Sequence, residues 1–245
     1  MNIIAIIPAR MGSTRFPGKP MAKILNKPMI EHVYQRVIKC SELSLTFVAT
    51  CDKEIFDHII SIGGNAIMTK DSHERASDRC AEALIQIETQ LNKKFDIVVM
   101  IQGDEPLIEK DMIVEAISPM IKDQSIKVVN LLGKIENEEE FKDRNCIKVV
   151  CDIFSNAMYF SREPIPVNSY KTFGKQVCVI PFRRDYLIEY TNLKPTELEK
   201  IESIDMLRIL ENGEKVKMVP TKFSNQSVDT LNDLIKVEKI LKLEL

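Results

Sequence analysis

Short apolar runs alternate with helical segments along the first half of the chain, and this alternation constrains the fold most strongly. The runs at residues 2–7, 44–50 and 96–101 are rich in apolar and β-branched residues, as is typical of strands buried on both faces of a parallel sheet. Between them, apolar residues recur at helical spacing in segments 28–39 and 78–91. The sequence therefore predicts an α/β fold, in which a mainly parallel sheet carries helices on both faces.

The second half of the chain is less regular. Residues 161–175 are rich in turn formers and predict an arm or lid rather than core structure. Helical spacing returns at residues 197–212 and Leu231–Leu243, and Asp52 is placed to cap the helix after the second strand. No linker separates these elements, so the sequence predicts one domain over residues 1–245.

Charge and apolar content exclude several classes of partner. Lys and Arg total 34 and Asp and Glu 36, a net charge of −2, so no overall field attracts nucleic acid. The longest apolar runs are about six or seven residues, far below the roughly 20 that a membrane span needs. The six cysteines form no Cys-x-x-Cys pair, as is typical of reduced thiols in a cytoplasmic protein. We therefore expect a cytoplasmic protein without nucleic-acid or membrane partners.

The loop after the first strand carries a strong local positive charge. Glycines in this loop allow main-chain amides to approach an anion, and arginine offers a rigid fork to phosphate oxygens. The loop does not fit a Walker motif, because the spacing is one residue too long and Pro20 replaces the hydroxyl residue. It is either a triphosphate-binding loop of another type or a solvated basic loop. The residues concerned are Arg10, Gly12, Ser13, Arg15, Gly18 and Lys19.

Two carboxylates stand at positions where a metal site is plausible on chemical grounds. Asp104 follows the apolar run 96–101, and ligands bind at the carboxyl ends of parallel strands. Asp229 directly precedes the last helical segment. Carboxylate oxygens suit Mg²⁺, which takes one or two of them together with substrate phosphates. The alternative is that both residues only cap a turn or helix.

The residues of the basic loop, together with later motifs, resemble one known family. Residues 8–20, PARMGSTRFPGKP, resemble the P-A-R-x-x-S-x-R-x-P-G-K-P signature of the 3-deoxy-manno-octulosonate (Kdo) cytidylyltransferases, a family of sugar nucleotidyltransferases. Similar blocks follow in order along the chain: NKPMI at 26–30, VATCD at 48–52, MIQGDEP at 100–106, IKVV at 147–150, YFSR at 159–162 and SVDT at 227–230.

This resemblance implies a Rossmann-like nucleotidyltransferase fold and a function in lipopolysaccharide biosynthesis. The implied reaction transfers CMP from CTP to a Kdo-like acidic sugar and releases pyrophosphate. The resemblance also implies a homodimer and a Mg²⁺ ion held by Asp104 and Asp229. The catalytic residues it implies are Arg10, Lys19 and Asp104; the nucleotide-binding residues are Pro8, Ala9, Arg10, Ser13, Arg15, Lys19, His73, Asp78 and Arg79; and the sugar-binding residues are Gln102, Gln176 and Asp205.

The stretch expected to form the sugar pocket departs from the family pattern H-x-G-I-Y-x-[YF]-R. Gln176 replaces the histidine, Cys178 the glycine and Ile180 the tyrosine, which changes the charge and the hydrogen bonds that the pocket offers. These changes favour a modified acceptor, such as 8-amino-Kdo, a nonulosonate or a phosphonate. The alternative is neutral change with Kdo retained, because glutamine still donates to a carboxylate. Arg75 and Ala76 also depart from the segment associated with the cytosine pocket.

Overall fold

The protein is described by a computed structural model, which covers residues 1–12, 16–167 and 174–243. Within this part of the chain, no helix is long and apolar enough to cross a membrane. The elements in chain order are β1 (Ile3–Ala9), a short 3-10 helix (Lys19–Met21), β2 (Lys23–Ile24), β3 (Lys27–Pro28), α1 (Met29–Val37), β4 (Leu45–Thr50), α2 (Lys53–Ser61), β5 (Ala66–Met68), α3 (Ala76–Leu91), β6 (Ile97–Ile101), α4 (Lys110–Lys122), β7 (Val129–Lys134), α5 (Glu138–Lys142), β8 (Lys148–Cys151), β9 (Ala157–Ser161), β10 (Gly174–Val177), β11 (Val179–Arg183), α6 (Arg184–Thr191), α7 (Glu197–Glu202), α8 (Met206–Glu211), β12 (Lys217–Pro220) and α9 (Leu231–Leu243).

The described residues pack into two compact units. The first contains Met1–Val114 and Asn225–Leu245, and the second contains Glu115–Ser224. The single domain expected over residues 1–245 stays a prediction. The predicted arm, residues 161–175, overlaps the last residue of β9 and the first two residues of β10, and its residues 168–173 lie outside the described part of the chain.

The first unit is built around the parallel strands that the apolar runs predict. Strands β6, β1, β4 and β5 lie side by side in that order, and each neighbouring pair is parallel. All seven residues of β1 and all five of β6 are buried, which explains why their sequences are apolar throughout. The predicted α/β class with a mainly parallel sheet is confirmed for this unit.

Strand β1 continues past the point at which its apolar run ends. The sequence predicts a strand over residues 2–7, but Pro8 and Ala9 still pair with β4. Proline lacks a donor and is poorly tolerated in the middle of a sheet. It is accommodated here because the pairing of β1 with β6 has already ended at Ile6 and Met100.

The C-terminal helix returns to the first unit and closes its core. Leu234, Val237 and Leu241 of α9 are buried in one apolar cluster with Ile24 and Met29. This packing fixes the segment that precedes α9, and that segment carries Asp229.

The second unit contains a mixed sheet that the sequence does not predict. Its strands lie in the order β12-β7-β10-β8-β9. Only the pair β12 and β7 is parallel, whereas β7 with β10, β10 with β8, and β8 with β9 are antiparallel. These strands have four to six residues each, so they give no long apolar run.

The prediction of one long helix over residues 197–212 is wrong. Helix α7 ends at Glu202, Ser203 adopts a left-handed conformation with φ 55°, and α8 begins only at Met206. Glu199 of α7 is buried, and its carboxylate forms an ion pair with the buried guanidinium of Arg208 on α8. The break is what allows two residues nine positions apart to meet.

Candidate functional site

Asp104 lies in a tight turn directly after the buried strand β6. The Glu105 amide donates to the Gln102 carbonyl at 3.2 Å, which closes the turn. A Cβ atom on Gly103 would lie 3.1 Å from the Pro8 carbonyl oxygen, so a side chain at this position would crowd the end of β1. The turn is therefore pressed against the end of β1, at the carboxyl edge of the parallel strands.

Lys19 joins the two carboxylates that the sequence singles out. Its ammonium donates to Asp104 Oδ2 at 2.7 Å and to the Val228 carbonyl at 2.8 Å, and Asp229 Oδ1 lies at 3.5 Å. The Val228 amide donates in turn to the Asp104 carbonyl at 3.0 Å. Lys19 follows Gly18, whose φ of 72° suits glycine. The structure thus brings together Lys19, Asp104 and Asp229.

The donor set at this point fits a magnesium ion. Asp104 Oδ1 is buried and has no hydrogen-bond partner, which is costly for a carboxylate oxygen unless a cation binds there. Among the residues that the structure describes, no group of three or more His, Cys, Asp or Glu side chains is placed to bind a metal. Two carboxylates without a larger protein cage match Mg²⁺, which completes its shell with water and substrate phosphates.

Asp52, which lies between β4 and α2, anchors the basic loop through a hydrogen bond. Asp52 occupies the N-cap position of α2, but its side chain makes no capping bond, so the predicted cap is wrong. Its Oδ2 instead accepts from the Met11 amide at 2.8 Å, and the Gly18 amide donates to the Met11 carbonyl at 3.1 Å. Asp52 therefore fixes the part of the loop that follows Arg10. The predicted nucleotide ligands Ser13 and Arg15 lie outside the described residues.

Arg79 and Arg10 converge on the backbone of the segment predicted to select the base. Arg79 is buried, and its guanidinium donates to Thr69 Oγ1 at 2.5 Å and to the Lys70 carbonyl at 3.0 Å. Arg79 Nη2 and Arg10 Nη1 both donate to the His73 carbonyl, at 3.3 and 3.4 Å. Arg79 thus shapes the segment from within, while Asp78 stands in the first turn of α3.

The His73 imidazole is oriented by a carboxylate. Its Nε2 forms a short hydrogen bond with Glu82 Oε2, and the same oxygen accepts from the Lys70 amide at 3.0 Å. Partial burial raises the pKa of Glu82, but the hydrogen bonds from Lys70 and His73 together lower it by more. The pKa of Glu82 therefore lies below its ordinary value. Glu82 is therefore anionic at neutral pH and holds the Nε2 edge of the imidazole.

Two of the predicted sugar ligands belong to the second unit. Gln176 lies on β10, and its Nε2 donates to Oδ1 of the buried Asn130 at 2.7 Å. Asn130 donates to the Val177 carbonyl at 2.7 Å, so the amide of Gln176 is held in one orientation. Asp205 is the N-cap residue of α8, and its carbonyl accepts from the Tyr190 hydroxyl at 3.0 Å.

Two positioning residues are absent from the predicted site. Asp52 belongs to the VATCD block at 48–52 that resembles the family, but the sequence alone predicts that this residue caps a helix. Glu82 lies one turn beyond Asp78 on the same side of α3, and that spacing is the only sequence signal for it. Their contacts span 41 and nine positions, which no local pattern encodes.

Comparison with known proteins decides the family. Residues 4–216 match the model of the cytidylyltransferase family. The chain belongs to the cytidylyltransferase family. Among these enzymes it resembles the 3-deoxy-manno-octulosonate cytidylyltransferase of Geobacter metallireducens, with 41% identity over 260 residues and 100% of both chains covered. That of Fusobacterium nucleatum is 41% identical over 245 residues, which cover 99% of this chain and 98% of its own. The resemblance drawn from the motifs is confirmed.

Solved cytidylyltransferase structures confirm the predicted nucleotidyltransferase fold. A CMP:2-keto-3-deoxy-manno-octonic acid synthetase complexed with CTP is 34% identical, with a TM-score of 0.89 and 100% of both chains covered. The 4-diphosphocytidyl-2C-methyl-D-erythritol synthase of Anaerococcus prevotii is 17% identical, with a TM-score of 0.64 over 98% of this chain and 96% of its own. At that identity, the second likeness shows the fold alone.

Proposed function

We propose that this cytidylyltransferase transfers CMP from CTP to Kdo, releases pyrophosphate and requires Mg²⁺. The observation that carries the proposal is the meeting of Lys19, Asp104 and Asp229 beside the basic loop. Attack of a sugar hydroxyl on the α-phosphorus needs mainly positioning and neutralisation of charge. A cation-binding carboxylate pair and a loop with cationic side chains supply both.

The residues of the first unit have separate tasks in this reaction. Arg10 and Lys19 bind the triphosphate, and the loop that Asp52 fixes presents main-chain amides to it. Asp104 and Asp229 would hold Mg²⁺, which when bound neutralises charge at the α-phosphate and orients the attacking hydroxyl. Gln102 lies beside Asp104 and hydrogen-bonds the sugar. His73, oriented by Glu82, would contact the cytosine.

Kdo is the acceptor that the relatives favour. The full-length relatives at about 41% identity are named for 3-deoxy-manno-octulosonate, and these names do not favour the modified acceptor suggested by Gln176, Cys178 and Ile180. Gln176 is compatible with an acidic sugar, because its amide nitrogen carries two N–H groups and donates one of them to Asn130. In this proposal, the product serves lipopolysaccharide biosynthesis.

CTP is expected to be the preferred nucleotide. Pyrophosphate release with Kdo and Mg²⁺ is compared for CTP, UTP, ATP and GTP under identical conditions. We expect kcat/KM for CTP to exceed the others by about 10²-fold or more, because a pocket built to hydrogen-bond one base rejects others strongly. A higher kcat/KM for UTP would contradict the assignment of the cytosine pocket.

The enzyme is proposed to act as a homodimer in the cytoplasm. The hairpin of β8 and β9 exposes three large apolar side chains, Ile153 at 92%, Phe154 at 68% and Met158 at 64%. Clustered apolar side chains of this kind mark interaction sites, and the partner proposed here is a second copy of the chain. The six cysteines are free thiols, which suits the reducing cytoplasm.

Sedimentation equilibrium tests the dimer. The wild-type protein is expected to sediment as a dimer at micromolar concentration, and Met158→Lys as a monomer, because a charge placed in an apolar interface must be desolvated. Lys122→Ala removes an exposed lysine from the last turn of α4, also in the second unit, and serves as the control that should remain dimeric. A wild-type monomer at these concentrations would rule the dimer out.

A further inference from the structure

The Lys19 ammonium lies where a metal ion is expected. Its nitrogen is 2.7 Å from Asp104 Oδ2, 2.8 Å from the Val228 carbonyl oxygen and 3.5 Å from Asp229 Oδ1. Two carboxylate oxygens and one carbonyl oxygen are also the ligand types that hard divalent cations prefer. The same lysine is expected to bind the triphosphate, so its position beside the carboxylates needs an explanation.

Lys19 and Mg²⁺ compete for these oxygens. Mg²⁺ binds oxygen at about 2.0–2.1 Å, so an ion on Asp104 Oδ2 would lie within about 5 Å of the lysine nitrogen. The three side chains are only 12–18% exposed, and like charges this close repel strongly where water is scarce. A bound triphosphate offers the ammonium a new set of oxygens.

The loop permits an exchange by rotation of one side chain. The Lys19 amide donates to the Phe16 carbonyl at 3.2 Å, and its carbonyl accepts from the Ala22 amide at 3.1 Å, so its main chain is fixed. The side chain beyond Cα is a flexible four-carbon stem. The nitrogen can therefore move several ångströms while the loop stays in place.

Resting on the proposed function, we propose that Lys19 is the resident cation of the Asp104–Asp229 pair before substrates bind, and that it moves to the triphosphate when Mg²⁺ replaces it. Two consequences follow for binding. Metal alone binds weakly, because it must displace the ammonium from both carboxylates. Metal and CTP bind cooperatively, since the triphosphate of CTP offers the displaced ammonium an anion, and each raises the affinity for the other by the same factor.

Binding of Mn²⁺ to the nucleotide-free protein, followed by electron paramagnetic resonance of the free ion, tests the exchange. We expect Lys19→Met to bind Mn²⁺ at least tenfold more tightly than the wild type. Lys23→Met removes an exposed lysine from β2 and should leave the affinity unchanged. Adding Asp104→Asn to Lys19→Met should abolish the gain. Equal Mn²⁺ affinities in the wild type and Lys19→Met would overturn the exchange.

Thermal unfolding gives a second readout that does not depend on activity. Without metal, Lys19→Met removes the ammonium from beside two carboxylates, so its midpoint should fall below that of the wild type. Mg²⁺ should raise the midpoint of Lys19→Met more than that of the wild type. If Lys19→Met folds only when Mg²⁺ is present, that result also supports the exchange. If Mg²⁺ does not stabilise Lys19→Met, the exchange is contradicted.

Failure of the proposed function gives a different pattern from failure of the exchange. If the wild type with CTP binds Mn²⁺ no better than Asp104→Asn with CTP, the metal site itself is wrong, and the exchange is overturned with it. If that difference is present but Lys19→Met gains no affinity, the metal site stands and only the exchange is overturned.

Discussion

Asp104→Ala is expected to lower the rate of CTP-dependent pyrophosphate release by about 10²–10³-fold, the usual loss when one preorganised electrostatic contact to the transition state is removed. Asp104 holds a buried oxygen without a hydrogen-bond partner and lies 2.7 Å from the Lys19 ammonium. Without it, the proposed metal loses a ligand and Lys19 loses its anchor. Steady-state kinetics at saturating CTP, with circular dichroism to check the fold, measures the effect.

Two further variants make this expectation specific. Lys19→Ala should also lower turnover more than tenfold, because the triphosphate loses a cation that binds it. Asp111→Asn alters a carboxylate in the first turn of α4, in the same unit, and should leave turnover unchanged. Normal turnover in both Asp104→Ala and Lys19→Ala would show that the reaction takes place elsewhere.

Arg208→Met is expected to cost about 3–5 kcal/mol of unfolding free energy, because it leaves a buried carboxylate without its cationic partner. Arg208 is 2% exposed and Glu199 is fully buried. The guanidinium donates to Glu199 through Nε at 2.7 Å and Nη2 at 2.5 Å, and it lies 4.9 Å from the centre of the Tyr190 ring. Urea unfolding of the purified variant measures the loss.

A double replacement distinguishes the loss of the ion pair from the loss of side-chain packing. Arg208→Met with Glu199→Leu removes both charges, so it should lose less stability than Arg208→Met alone. Lys200→Ala breaks the exposed pair with Glu197 on the same helix and should change stability little. If Arg208→Met had the same free energy of unfolding as the wild type, other groups would have to compensate the charge of Glu199, and the expectation would be contradicted.

The parallel strands were predictable because burial on both faces leaves its mark on composition. Strands β1, β4 and β6 match their apolar runs to within a few residues. The mixed sheet of the second unit was not predictable, since its short strands carry no such run. The break at Ser203 was missed for a related reason: a left-handed conformation in a residue other than glycine has no clear signature in sequence.

The site was predictable only in part. The motifs identified Lys19, Asp104 and Asp229 individually, but their contacts span 85 and 210 positions, and only the packed fold brings them together. The link between Asp52 and Met11 and the link between Glu82 and His73 are of the same kind. Residues that orient other residues have no chemical pattern of their own, so sequence reasoning does not find them.

Comparing kcat/KM for Kdo and 8-amino-Kdo, with CTP and Mg²⁺ at saturation, tests the proposed reaction and its acceptor together. Identification of the product by mass spectrometry confirms that CMP has been joined to the sugar. We predict that Kdo gives the higher kcat/KM, with pyrophosphate and CMP-sugar formed in equal amounts. A higher kcat/KM for 8-amino-Kdo would contradict the assignment and would show that Gln176 and Ile180 have changed the acceptor.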